Sequence, residues 1–184
     1  MREDGARTGM IDGDGAAAVA GEVQGGGGGG AGGDPAGPFY LDDLRVGQRF
    51  RSGSVTVDAD EIKAFAARYD PQPFHLDEAA AEASLFRGLA ASGWHTAAMT
   101  MRLVVDGGIP VAGGLIGASG ELAWPRPTRP GDVLTVETEV LAVVPSKSRP
   151  DRGIATLRSL TRNQAGEPVQ IFTMNLIVPR RPAP

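Results

Sequence analysis

Asp70 and His75 stand five residues apart in the segment Asp70-Pro71-Gln72-Pro73-Phe74-His75-Leu76-Asp77. A carboxylate and an imidazole that can reach the same proton form an acid–base pair. Pro71 disfavours the helical region at Asp70, and Pro73 does so at Gln72. The segment therefore reads as a stiff extended loop that cannot be helical, following a helix-like run from Glu61 to Tyr69. That places Asp70 at a helix C-terminus, where unpaired carbonyls disfavour an anion, so its pKa is expected to be raised. The plainer alternative is that Asp-Pro merely ends a helix and His75 packs in a turn.

The elements around this pair are legible from capping and periodicity. Asp58 with Glu61 three positions on reads as a helix start, and Ile62, Phe65 and Ala66 fall on one face. Asp77 caps a short Ala-rich helix through about Ser84, broken by Phe86-Arg87-Gly88. A further helix opens at Ser92-Gly93, continues to about Val105 and stops at Gly107-Gly108. Trp94, Ala97, Ala98, Met99, Met101, Leu103, Val104 and Val105 surround it with apolar groups, which predicts a central buried helix. His95 and Arg102 are its polar exceptions, and His95 is expected in the core or at a dimer face.

Strand character follows over Leu115–Trp124, Val133–Val144, Gly153–Asn163 and Pro168–Val178, with an earlier β-type run at Ser54–Val57. Leu134, Val136, Thr138 and Val140 alternate with Thr135, Glu137 and Glu139, the pattern of a half-buried strand. Asn163–Glu167 reads as a hairpin, and Phe39–Leu44 as a short turn or arm docked on the domain. The loop Pro145–Gly153 carries Lys147, Arg149 and Arg152, which are candidates for meeting a phosphate or for plain solvation. Helices with long antiparallel strands give an α+β class, helix packed on sheet.

Composition narrows the chemistry. Fourteen of the 27 glycines lie before residue 38, so residues 1–37 read as a flexible Gly-rich tail and residues 38–184 as one domain. The tail's two arginines and six acids account for the whole formal charge of −4, leaving the domain balanced. No basic field points to nucleic acid. With no cysteine and two histidines, thiolate chemistry is excluded and a structural zinc site is not expected. No apolar leader or span is legible, and a soluble cytoplasmic protein is the expectation, with no membrane partner.

The stretch Tyr69–Glu78, followed by Ala83-Ser84-Leu85-Phe86 and Ala90-Ala91-Ser92-Gly93-Trp94-His95, resembles the MaoC-like dehydratases and (R)-specific enoyl-CoA hydratases. Their motif reads Asp-x-Asn-Pro-x-His-x-Asp, and the resemblance covers about residues 39–178. Gln72 stands where the family has Asn, and the family's frequent Ala-His-Gly reads Ser92-Gly93-Trp94-His95. The resemblance implies a single hotdog domain, an antiparallel sheet wrapped around a helix, pairing as a homodimer or dimer of dimers. It also implies reversible hydration of trans-2-enoyl thioesters to (R)-3-hydroxyacyl thioesters, with no cofactor and a coenzyme A or acyl-carrier thioester as substrate. Asp70 and His75 would then activate the water, and the Gly93 N–H would receive the thioester oxygen. Gln72 and Ser92 would position these groups. With such a substrate, the phosphate that Lys147, Arg149 and Arg152 are candidates to meet is that of coenzyme A, and a solvated loop stays the plainer reading.

Three other readings share the fold: a non-catalytic acyl-CoA-binding module, an accessory subunit of a larger dehydratase, and a thioesterase. Hotdog thioesterases usually carry a carboxylate on the central helix, and none lies between Ser92 and Val105.

Overall fold

The computed structural model describes residues 37–182. The tail expected over residues 1–37 lies, apart from Gly37, outside the described residues. Helix α1 spans Ala59–Tyr69 and starts where the Asp58 side chain accepts the N–H groups of Asp60 and Glu61. It buries Ile62 and Ala66 and ends at Tyr69, because Pro71 holds Asp70 out of the helical region at φ −150°, ψ 66°.

The next segment corrects an expectation. It is not extended throughout: Pro73–Leu76 form a single helical turn, α2, that carries His75. A proline restricts the residue before it, and Gln72 is indeed extended at φ −84°, ψ 140°. The proline's own φ suits the first position of a helix, where its missing N–H costs nothing. The turn rotates His75 inward to 4 % exposure.

Helix α3, Glu78–Glu82, is capped by the Asp77 carboxylate, which accepts the Ala80 N–H at 2.8 Å. Arg87 and Gly88 then adopt φ 49° and 133°, reversing the chain before α4, Gly93–Gly107.

Five antiparallel strands, β1 (Arg49–Thr56), β2 (Ile116–Ala123), β3 (Val133–Pro145), β4 (Arg152–Arg162) and β5 (Pro168–Pro179), lie in the order β1-β3-β4-β5-β2. Leu134, Val136, Thr138 and Val140 of β3 are all buried, as their alternation requires. The core forms where they and Leu157, Met174 and Leu176 meet Met99, Leu103 and Val104 of α4. The arm docks as expected: Phe39, Leu41 and Leu44 are buried, and the Phe39 N–H donates to the Pro110 carbonyl at 2.7 Å. This is the α+β hotdog arrangement.

Helix α4 differs from the fully buried helix its composition predicts. His95, Thr96, Met99, Thr100, Leu103 and Val104 are buried, whereas Trp94 and Val105 are 63 % and 64 % exposed. One five-stranded sheet covers only one side of a helix. The other side stands bare beside β2, an edge strand exposed along nearly its whole length. No helix among the described residues is long and apolar enough to cross a membrane.

Candidate active site

The end of α1, the α2 turn and the start of α4 bring Asp70, Gln72, His75, Ser92 and Gly93 to one cleft of about 400 Å³. Asp70 Oδ2 accepts the Ser92 hydroxyl at 2.7 Å and lies 3.5 Å from His75 Nε2. Its Oδ1 accepts the Gln72 amide at 2.8 Å, so the longer side chain at this position reaches the carboxylate directly.

These contacts overturn the expected raised pKa. The Ser92 hydroxyl above all, then the Gln72 amide and the charge of His75, hold the Asp70 carboxyl below its ordinary value although partial burial opposes them. Direct donors outweigh the diffuse field of a helix end.

His75 Nδ1 lies 2.7 Å from the Ala90 carbonyl oxygen. A carbonyl can only accept, so this contact places a proton on Nδ1 and turns Nε2 towards Asp70. Phe74 meets the imidazole edge-on at 4.6 Å, which keeps bulk water from that side.

Ser92 holds both roles open to it. Its hydroxyl donates to Asp70 while accepting the Trp94 N–H at 3.2 Å, so the cap of α4 is also a member of the site. Gly93 is the first residue of α4, and no partner for its N–H is found among the described residues. The Trp124 ring lies so close that a Cβ on Gly93 would stand 2.7 Å from it, which explains glycine here. Trp124 is itself tethered, donating from Nε1 to Gln170 Oε1 at 2.8 Å.

The connector from Trp124 to Thr128 forms a whole wall of the cleft, and its role was not legible in advance. A tryptophan ahead of Pro125-Arg126-Pro127 was the available signal, since a bulky aromatic in a polar loop wants a surface to cover. Arg126 sits at the rim, 3.4 Å from Glu167.

Lys147, Arg149 and Arg152 are not brought to the cleft of their own chain. Lys147 and Arg149 lie in the turn between β3 and β4, and Arg152 opens β4, where it pairs with Asp151 at 2.6 Å. The cleft adjoins the other end of β4, where Thr161 pairs with Gln170. Eleven residues of strand separate the two ends, roughly 35 Å at the usual rise. His95 also lies outside the cleft lining, stacked on Phe65 at 4.7 Å with Nδ1 buried and without a hydrogen-bond partner among the described residues.

Comparison with known proteins agrees with this architecture. The family model described as MaoC like domain matches residues 43–163. The uncharacterized protein YdeM of Bacillus subtilis (strain 168) is 33 % identical over 139 residues, covering 75 % of this chain and 96 % of YdeM. The crystal structure of the MaoC-like dehydratase from Rhodospirillum rubrum is 63 % identical, with a TM-score of 0.77 over 79 % of this chain and 99 % of that one. An (R)-hydratase from A. caviae, described as involved in PHA biosynthesis, is 32 % identical. Its TM-score is 0.56, over 75 % of this chain and 98 % of its own.

Proposed function

Because the chain belongs to the MaoC-like family of hotdog dehydratases and hydratases, we propose that it adds water to trans-2-enoyl thioesters to give (R)-3-hydroxyacyl thioesters, and catalyses the reverse. The observation that carries the reading is the Asp70–His75 pair, 3.5 Å apart, beside the uncommitted Gly93 N–H.

The thioester carbonyl docks at the start of α4, where the Gly93 N–H donates to its oxygen as enolate charge develops. Water sits on the cleft side of the pair, within hydrogen-bond reach of both Asp70 Oδ2 and His75 Nε2. His75 Nε2 takes one of its protons while the oxygen bonds to Cβ, and the π electrons move to Cα and the carbonyl. The imidazolium then returns a proton to Cα on the same face. Asp70 stays ionised throughout, orients the water and offsets the imidazolium charge. With a lowered pKa it is ill suited to hold the proton itself.

The acting unit in this reading is a homodimer. The bare side of α4 and the unpaired β2 edge give the surface for it, since a long exposed edge strand beside apolar side chains invites a second copy. The nearest match to a thioesterase carboxylate, Asp106, sits at the far end of α4 and pairs with Arg102.

Purified protein should be incubated with a panel of enoyl-CoA and hydroxyacyl-CoA thioesters, with hydration, free thiol and product chirality measured together. Hydration to the (R) product without thiol release is expected. Tight binding with no turnover across the panel would sink the reaction and leave a binding module. Thiol release would indicate a thioesterase.

A further inference from the structure

The segment Phe86–Ala91, between α3 and α4, has no regular structure, yet four of its six carbonyls accept hydrogen bonds from side chains. Those of Phe86, Gly88 and Leu89 accept hydrogen bonds from one side chain, the Arg129 guanidinium, with Gly88 at 2.6 Å and Leu89 at 3.1 Å. Arginine suits this place because its planar fork can serve several acceptors at once, which lysine's ammonium cannot do in one plane. Arg129 is in turn anchored: its own N–H donates to Asp132 Oδ2 at 2.7 Å, and the Asp132 carbonyl accepts the Val57 N–H at 2.8 Å.

The carbonyl that follows Leu89 in the chain is that of Ala90, the acceptor for His75 Nδ1. The peptide unit carrying it is held at its other end as well, because the Ala91 N–H donates to the Thr128 carbonyl at 2.9 Å. The two peptide planes around Ala90 are thus fastened to neighbouring residues, Thr128 and Arg129. Ala90 itself is fully buried, so no water substitutes for a carbonyl that drifts.

We infer that Arg129 is a positioning residue for acid–base chemistry: by clamping the Phe86–Leu89 carbonyls it aims the Ala90 carbonyl at His75 and fixes the imidazole as its Nδ1–H tautomer. Nε2 is then bare towards Asp70 and the cleft. Released from Ala90, the imidazole would carry its proton on Nε2 instead and donate to Asp70 Oδ2, which would remove the lone pair that must receive the water's proton. Arg129 touches none of the reacting atoms and acts through two peptide groups. The inference rests on the hydratase reading for its catalytic meaning, but not for its structural content.

The test is nitrogen NMR of the two imidazoles in the full chain, at about pH 8, where an ordinary imidazole is neutral. His95→Phe assigns the signals. The wild type should show His75 in the Nδ1–H form. Arg129→Lys and Arg129→Gln should populate the Nε2–H form and lower kcat by about 10²-fold, the scale of a small misplacement, with KM changing far less. Lysine should rescue no more than a small part.

A folded Arg129→Gln variant that keeps the Nδ1–H tautomer would overturn the inference. So would an Nε2–H tautomer in the wild type, which decides the matter even where the variants do not fold. The spectra need no substrate. A wild type inactive on every thioester, with its tautomer shifted by Arg129→Lys, would therefore refute the hydratase reading and uphold the clamp.

Discussion

Asp70 keeps its charge because a hydroxyl and an amide donate to it, and His75 faces it with one committed nitrogen. Groups that share a single water should fail together. Asp70→Asn and His75→Ala should each lower turnover by roughly 10²-fold or more, and the double variant should be little worse than either. Additive losses in steady-state kinetics would argue for separate tasks. The other histidine answers to a different measurement. Burial holds His95 below its ordinary value near 6.5, with Glu61 partly opposing. The folded chain then binds fewer protons there than the unfolded chain, so stability rises with pH through the window just below 6.5. Between about pH 7 and pH 5 the melting temperature should fall, and by less in His95→Phe, which keeps the stacking on Phe65. An equal fall in both would remove His95 from the account. Asp70, Gln72 and His75 were legible as candidates because their types and spacing are local, and Ser92 and Gly93 because they open a helix. The sign of the Asp70 shift was not, since its main cause, Ser92, arrives from 22 residues away.

At the level of elements, capping and alternation located α1, α3, α4 and four long strands to within a residue or two, while β1 starts at Arg49, ahead of the run read at Ser54. Misreading came where one residue had two effects. Pro73 blocks a helix behind it and starts one ahead of it, and only the first effect was read. The connector after β2 was illegible for another reason: nothing in the order of its residues tells which surface Trp124 will cover. The structure makes that contact testable. Alanine is ordinarily welcome in a first helical turn, so Gly93→Ala should be harmless to α4 as a helix. Against Trp124 it cannot fit, and the indole must leave Gln170. We expect lower turnover and a lower melting temperature, with much of both recovered in Gly93→Ala/Trp124→Leu. A double-mutant cycle reads this as a coupling energy, and a value near zero would mean that the ring does not press on the helix.

For the whole molecule, the two unlike sides of α4 state what one chain leaves unfinished. Composition made this helix apolar all round, and sequence could not say that part of that surface lies outside the sheet's cover. If a second copy covers it, the wild type's melting temperature should climb with protein concentration. Met101→Asp, which puts a charge on the bare side, should give monomers in light scattering. A wild type that is monomeric at every concentration would return this face to solvent.

The path of β2 has one more result. The strand runs along the bare edge and passes directly into the connector that walls the cleft, so one continuous segment borders both the proposed pairing surface and the cleft. If fixing it at one place favours its settled form at the other, free-energy linkage makes the exchange reciprocal. A thioester analogue that tightens pairing by some factor must itself be bound more tightly in the pair by that same factor. Dilution would then act as an inhibitor.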